Sequence, residues 1–432
     1  MKLVIIGGGF GGLQLARKLK DRAGFEITLV DKFNYHQFQP LFYQVATAGL
    51  DASNISFPLR KVFQHSNNMH IRMAKVLEIV PAENKVITDS ANIDYDILVL
   101  ATGATTNFFG NERIASNAFP MKSTTEALEI RHRMLQNFEE ALIAPTKEEQ
   151  VKLMTIVIVG GGPTGVELSG AIAEMKKYVL PKDYPELDFS LMKIYLLEGG
   201  SEVLENMSDI ASTKSLKYLV DLGVTVLLKT RLTDYDGQTV VLNTGQQIEA
   251  STVIWAAGIM GNLPGGFNPD LVVRGNRLKV DRHNRVQGFE NIYAVGDIAS
   301  METPLYPHGH PQVASVAIQQ AKLLADNLIK IERRSAHEVE EFEYYDKGSM
   351  ATVGRNLAVV DLPHPKLHFA GFFAWLIWMF LHLMLILGVK NRLFVFTNWV
   401  YNYFTHDQSL RLIFKDFFRP KKIPEIEKAK AM

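Results

Sequence analysis

The residues best placed for chemistry are two runs of glycine. Gly7, Gly9 and Gly12 hold the first, third and sixth places of one hexapeptide, and Gly160, Gly162 and Gly165 hold those places in another. In a strand–turn–helix unit such glycines make a tight turn, let backbone approach a pyrophosphate, and permit close helix–strand packing. The anion then sits at the helix N-terminus. Each run has an acidic partner downstream: Asp31, 24 residues after Gly7, and Glu198, 38 after Gly160. A carboxylate ending the next strand accepts hydrogen bonds from an adenosine ribose. The longer second interval fits an insertion at Pro181-Lys182-Asp183-Tyr184-Pro185. A single turn of this kind also fits ordinary packing. Two, each with an acidic strand end, point to two dinucleotides. A carboxylate at Glu198 repels a 2′-phosphate and no Arg follows it, so NADH is expected over NADPH.

The elements that must position these residues are legible around them. Leu3-Val4-Ile5-Ile6 and Phe25–Val30 flank a helical pattern at Leu13, Leu15, Ala16 and Leu19. Thr155–Val159 and Lys193–Leu197 flank a second helix running from Val166 to about Val179. A repeated βαβ unit implies two doubly wound domains. Buried-looking strands end at Thr102-Gly103 and at Gly258, and both ends are assigned to cofactor contact. Segments 71–89 and 224–249 alternate apolar and polar residues and read as antiparallel excursions. A late strand, Asn291–Val295, ends at Gly296-Asp297, and 313–330 is a long helical pattern. Because Gly296-Asp297 returns to complete the first domain, that domain is expected to hold a flavin. Asp297 then serves its ribityl–phosphate portion, and the second domain takes the exchangeable nicotinamide.

Composition removes other chemistries. The chain has 432 residues, 46 basic and 46 acidic, with no cysteine. Disulfides, thiolate nucleophiles, cysteine-ligated zinc and iron–sulfur clusters are excluded, so redox work must run on a bound cofactor. Zero formal charge gives no electrostatic reason to expect nucleic acid. No metal site is expected, since His308 and His310 lack convincing ligand spacing. Lys2 is followed by only four apolar residues before glycine, unlike a signal peptide.

Longer stretches carry a more specific resemblance. Asn34-Tyr35-His36-Gln37-Phe38-Gln39-Pro40-Leu41-Phe42-Tyr43-Gln44-Val45-Ala46-Thr47-Ala48-Gly49-Leu50 and Gly348-Ser349-Met350-Ala351-Thr352-Val353-Gly354-Arg355 resemble signatures of type II NADH dehydrogenases, the non-pumping NADH:quinone oxidoreductases. Ala374-Trp375-Leu376-Ile377-Trp378, Asn391-Arg392-Leu393 and Asn398-Trp399 are similar to that family's membrane-binding tail. Thiol-using relatives in the same two-dinucleotide superfamily are excluded by the missing cysteines.

The resemblance implies tightly bound FAD, NADH as co-substrate, and a quinone as acceptor. It implies that Glu167 faces nicotinamide and flavin as a hydrogen-bond partner or proton carrier; the plainer reading is a first-turn glutamate stabilised by the helix dipole. Small residues at Ala46-Thr47-Ala48 and Gly258-Ile259 suit close approach of rings, although tight packing alone would also select them. The family pattern P-x-x-A-Q-x-A-x-Q-Q appears as Pro311-Gln312-Val313-Ala314-Ser315-Val316-Ala317-Ile318-Gln319-Gln320. Ser315 therefore stands where a glutamine contacting quinone is expected, with Gln312 one turn earlier as its substitute.

From Phe369 to Val389 every residue is apolar or glycine except His382. Twenty-one residues could span a bilayer, but the aromatic stretch Leu393–Phe404 and the spacing of Arg411, Lys415 and Arg419 favour a monotopic hairpin on anionic headgroups. Nine basic and four acidic residues follow from Lys390 onward. The expected fold is α/β, with two Rossmann-like dinucleotide-binding domains plus a C-terminal membrane-binding helical segment. Its parts are a FAD domain at 1–112 and 265–335, an NADH domain at 113–264, a small β segment at 336–368 and anchoring helices at 369–432. The expected partners are quinone, a lipid surface and a second copy of the chain as homodimer. The expected location is peripheral, on the cytoplasmic face of a cell membrane or the matrix-type side of an organelle. Two alternatives stay open: a soluble-type NADH oxidase or ferredoxin-reductase-like flavoenzyme, and a non-catalytic dinucleotide-binding redox sensor.

Overall fold

The computed structural model describes residues 1–413. The first unit opens with β1 (Lys2–Ile6), α1 (Phe10–Leu19), β2 (Glu26–Asp31), α2 (Phe42–Ala46), β3 (Met69–Met73) and β4 (Ile97–Leu100). The second holds β5 (Ile156–Val159), α3 (Pro163–Tyr178), β6 (Ile194–Leu197), α4 (Asp209–Asp221), β7 (Thr225–Leu227) and β8 (Thr252–Trp255). Next, β9 (Ile292–Ala294) and α5 (Ala314–Glu332) return to the first unit. There follow β10 (Ser349–Gly354), β11 (Leu357–Pro363), β12 (Lys366–Ala370), α6 (Phe372–Leu385) and α7 (Val389–Thr405).

Two five-stranded sheets share one order. The first runs β9-β4-β1-β2-β3 and the second runs Phe119–Pro120, β8, β5, β6, β7. All pairings in both are parallel. In each unit the first strand lies between the second and the fourth, which puts the glycine turn at the carboxyl edge of the sheet, where α/β folds bind ligands. Central strands covered on both faces must be apolar throughout. Every residue of β4, β5 and β8 is buried accordingly. Where the chain crosses between units and back, Ala104–Thr106 pairs antiparallel with Ile259–Gly261.

The antiparallel excursions need correction. The excursions begin later than 71 and 224, because β3 and β7 pair parallel with β2 and β6. The antiparallel strands start at Val76 and Leu232. An edge strand of a parallel sheet keeps one face partly wet, so its alternation imitates an antiparallel strand.

The apolar run from 369 to 389 is not a single helix, in keeping with the preference for a hairpin over a spanning helix. Its first two residues belong to β12, which crosses the boundary drawn at 369. Gly371 and Gly388, both at positive φ, then bracket α6, which has 14 residues. At 1.5 Å per residue such a helix covers about 21 Å, short of a hydrocarbon core of about 30 Å. Among the described residues no helix is long and apolar enough to cross a membrane. Lys415 and Arg419, two of the three residues expected to form a basic face, lie outside the described residues.

The small antiparallel sheet β10-β11-β12 rests on α3. On α6 the buried residues are Ala374, Trp378 and His382, four apart, and on α7 they are Val395 and Trp399. The indoles and the imidazole thus face the protein while Phe373, Phe380 and Phe404 face outward.

Candidate functional site

The two glycine turns have the same geometry. Gly7 and Gly160 adopt φ of 106° and 110°. A Cβ on Gly12 would stand 1.9 Å from the Gly7 carbonyl oxygen, and one on Gly165 would stand 1.9 Å from that of Gly160. Gly9 and Gly162 have nothing within 4 Å of a Cβ position, leaving an open approach to the backbone. The acidic strand ends brace both loops. Asp31 Oδ2 accepts from the Gly8 N–H at 2.6 Å and its Oδ1 from Phe33 at 2.7 Å. Glu198 Oε2 accepts from the Gly161 N–H at 2.6 Å and its Oε1 from Gly200 at 2.5 Å. Burial pushes the Asp31 carboxyl above its ordinary range against those backbone donors.

Over the first turn lies a cleft of about 1610 Å³ of non-protein space, partly open to solvent. Gly9, Asp31, Thr102, Gly103 and Lys122 line it. Thr102 Oγ1 is buried there without a protein partner. Gly296-Asp297 begins a 3₁₀ turn straight after β9. The Gly296 N–H donates to Gln320 Oε1 at 2.7 Å, tying the turn to α5. Burial raises the Asp297 carboxyl, and Lys122 and Arg277 pull it back down. An open glycine, an acid at the ribose position, an orphaned hydroxyl and a cation form a donor set that fits FAD. Gly258, at φ 92°, follows β8 with the Phe109 ring close to where its Cβ would stand.

A second cleft, enclosing about 880 Å³ and partly open, lies between α2, α3, β10 and the C-terminal helices. Glu167 from the first turns of α3 lines it and is only 8 % exposed. The Thr352 N–H donates to Glu167 Oε1 at 3.4 Å, a long bond. The Trp378 indole N–H acts electrostatically on the carboxylate yet lies outside hydrogen-bonding geometry. Weak compensation leaves desolvation in charge, and the carboxyl is pushed up to about 8. It is therefore mostly protonated at neutral pH.

Tyr43, from α2, is buried beside it, and Gln44 Nε2 donates to the Tyr43 hydroxyl at 2.7 Å. Gln44 Oε1 in turn accepts from Trp399 Nε1 at 2.7 Å. Trp378 stacks on His382 at 4.1 Å, and burial pushes that imidazole down to about 4, so it stays neutral.

The expected catalytic set is not gathered at one place. Glu167 lines this second cleft, whereas Ser315 and Gln312 line neither cleft. Ser315 Oγ lies 2.7 Å from the Tyr344 hydroxyl, and Gln312 Nε2 donates to the Asp297 carbonyl at 3.0 Å. Ala46 ends α2 fully buried, one residue before Thr47, which does line the second cleft. Sequence reasoning quoted Tyr43, Gln44, Thr352 and Trp378 in motifs without giving them work, and it missed Glu174. The spacing of Glu167 and Glu174, two helical turns apart on an otherwise apolar face, was the available signal.

Two sheets of one order, each with a glycine turn and a bracing acid, define the pyridine nucleotide-disulphide oxidoreductase class. The family model of that description matches residues 1–321, and the NDH2 C-terminal domain matches residues 346–406. The type II NADH:quinone oxidoreductase Ndh of Mycobacterium tuberculosis is 37% identical over 92% of this chain and 87% of its own length. NdhA of the same organism is 35% identical over 92% of this chain and 86% of its own. The chain belongs to the type II NADH:quinone oxidoreductases. In fold it is similar to NDH2 from Plasmodium falciparum in complex with NADH, at a TM-score of 0.86 and 22% identity, covering 96% of this chain and 99% of that one. A sulfide:quinone oxidoreductase from Aquifex aeolicus has a TM-score of 0.68 at 20% identity, covering 93% and 95%.

Proposed function

We propose that the chain oxidises NADH at the second glycine turn and reduces a membrane quinone without moving protons across the bilayer. The observation that carries this reading is Glu167, buried in the second cleft at the start of the helix that follows the second turn, where desolvation pushes its carboxyl up to about 8. Bound FAD supplies the two-electron link between the substrates. Gly7, Gly9, Gly12, Asp31, Thr102, Gly103, Gly296 and Asp297 hold it, and Gly160, Gly162, Gly165, Glu198 and Gly258 hold NADH. Ala46 closes the packing beside the second cleft.

Each residue then has a physical task. The open backbone at Gly9 and Gly162 admits pyrophosphate to a helix N-terminus. Glu167 keeps a proton at neutral pH because its site is dry, and it can give that proton to a quinone oxygen. The Thr352 N–H donates to the carboxylate afterwards, and the nearby Trp378 indole favours its charge electrostatically. Tyr43, Trp378 and Trp399 exclude water around it, which strengthens each of these interactions. The outward face of α6 and α7 holds the molecule to one leaflet, so that quinone reaches the cleft from the lipid side. A second copy completes a homodimer, and Gln312 acts on the flavin site only through the Asp297 carbonyl that it holds, with Ser315 on Tyr344 outside both clefts.

Stopped-flow absorbance tests the reading. NADH should bleach the bound flavin quickly and NADPH slowly, and a short-chain quinone should restore the absorbance. Flavin that stays reduced in the presence of quinone sinks it.

A further inference from the structure

The net reaction consumes a proton: NADH + H⁺ + quinone gives NAD⁺ + quinol. Two electrons and one hydrogen nucleus leave NADH as hydride, so the second proton must come from water. Glu167, at 8 % exposure, can donate once but cannot refill itself from solvent directly.

One helix offers the refill. Glu174 lies seven residues beyond Glu167 on α3, about 10 Å along the axis at 1.5 Å per residue. Both carboxylates line the same cleft, and Glu174 is the more exposed of the two. His406, Asp407 and Gln408 line the cleft as well. The Tyr43 hydroxyl, buried, lines the same cleft and feels the charge of both carboxylates. The hydroxyl accepts from Gln44 Nε2, which leaves its own hydrogen free to point elsewhere.

The surroundings of Glu174 suit a group that must gain and lose a proton. Its Oε1 accepts from the Arg355 N–H at 2.6 Å, and the Arg355 and Lys177 charges favour the carboxylate. Burial opposes them and prevails, raising the group. The Arg355 guanidinium is turned away, donating to the Asn402 carbonyl at 2.8 Å, contacting His406 Nε2 and lying over the Tyr403 ring. Hence Glu174 is not locked in a salt bridge with it. The other charged or titratable groups facing this stretch are Tyr178, which packs on His406, and Asp407.

We infer that Glu174 is the outer station of a proton route into the site, taking a proton from water in the cleft and resupplying Glu167 along the cleft that both carboxylates line. The inference rests on the reading of Glu167 as proton carrier. When Glu167 has given its proton to the quinone oxygen, it is a carboxylate. The Glu174 carboxyl hydrogen passes to it through the shared cleft, water there donating to Glu167 as it accepts from Glu174, and Glu174 is left as the carboxylate. Water then reprotonates Glu174. Glu174 acts through Glu167 and touches no substrate, so it is a positioning residue for the proton.

The test uses flavin-loaded Glu174→Gln, Glu174→Asp and Glu167→Gln enzymes with NADH, a short-chain benzoquinone and a pH-indicator dye in stopped flow. Melting and flavin absorbance first establish that each variant is folded and loaded. In Glu174→Gln the NADH phase should keep its wild-type rate. Flavin reoxidation and dye-reported proton uptake should slow together by about tenfold, within what positioned proton transfer contributes. Formic acid should restore most of the rate, and Glu174→Asp should keep at least half of it. A wild-type reoxidation rate in Glu174→Gln overturns the inference. So does slowing that formic acid does not relieve and Glu174→Asp shares. If Glu167→Gln also reoxidises at the wild-type rate, the reading of Glu167 itself has failed; if it alone is slow, only the route through Glu174 has.

Discussion

Gly170 on α3 lies directly beneath Val353 of β10, where a Cβ would stand 1.6 Å from the Val353 carbonyl oxygen. This contact lays the small sheet on the helix, and it carries Thr352 to Glu167 and Arg355 to Glu174. Gly170→Ala would have to push backbone, not a flexible side chain. Overpacking of this kind costs about 1–3 kcal/mol and sometimes more. The expected outcome is a loss of at least about 3 kcal/mol in denaturant unfolding, with quinone reoxidation slowed and flavin retention intact. Unchanged stability would mean that β10 can lift without cost.

Glu167 makes stability depend on pH. Its folded value of about 8 lies above the ordinary 4.5, so between those values the folded chain binds more protons than the unfolded one. Stability therefore falls as pH rises through that window, and is lowest above about 8. Glu167→Gln removes the dependence. Unfolding midpoints of variant and wild type should lie close together near pH 4 and separate by pH 9, with the variant the more stable. The same titration should slow quinone reoxidation in the wild type above pH 8 and leave the variant's slow rate flat. A wild type that gains stability across the window contradicts the assignment.

Much of this was legible from residues alone, for identifiable reasons. The glycine turns and their bracing acids are local: Gly7–Asp31 and Gly160–Glu198 each fall within one βαβ unit, so spacing reports geometry. Buried strands such as β5 declare themselves by continuous apolar composition. What stayed hidden depends on distant contacts. Gln44 meets Trp399 across 355 residues, and Glu174 meets Arg355 across 181. On α6 the pattern itself was mute, because an all-apolar helix has no contrast to mark its buried face. Trp378 and His382 point inward only because α2 and α7 bring Tyr43 and Trp399 to them. Ser315 was readable as a departure, but its contact with Tyr344 was not.

The two classes of glycine in each turn should separate experimentally. A Cβ on Gly9 meets nothing within 4 Å, so Gly9→Val points its bulk into the cleft and not into the fold. Folded protein that has lost its flavin is expected, seen as a normal far-ultraviolet spectrum with no visible absorbance. A Cβ on Gly12 would collide with the Gly7 carbonyl at 1.9 Å, so Gly12→Ala should unfold or fail to accumulate. In the second turn, Glu198→Ala leaves the Gly161 and Gly200 N–H groups without their acceptor. It should raise the KM for NADH and narrow the preference over NADPH. Retained flavin in Gly9→Val would reverse the assignment of the two sites.

The outward face of α6 and α7 can be separated from the inward one in the same way. Phe373, Phe380 and Phe404 are 72 %, 67 % and 76 % exposed, so replacing them with Glu removes only the edge contacts of Phe373 with Phe372 and of Phe404 with Tyr403. Moving each ring from lipid to water costs about 1.5 kcal/mol or more. Losing three should weaken binding to vesicles containing an anionic lipid by on the order of 100-fold or more, while the melting temperature holds. Trp378→Ala is the opposite case: the ring is 1 % exposed, stacked on His382 and close to Trp399. Truncating it should cost about 3–5 kcal/mol by leaving a cavity, and vesicle binding of the protein that remains folded should be unchanged. Co-sedimentation and thermal melts read the two effects independently. If the triple variant still sediments with vesicles as wild type does, the outward rings are not the membrane contact. Sedimentation velocity should then ask whether they instead join two copies of the chain, since a face this apolar needs a cover of some kind.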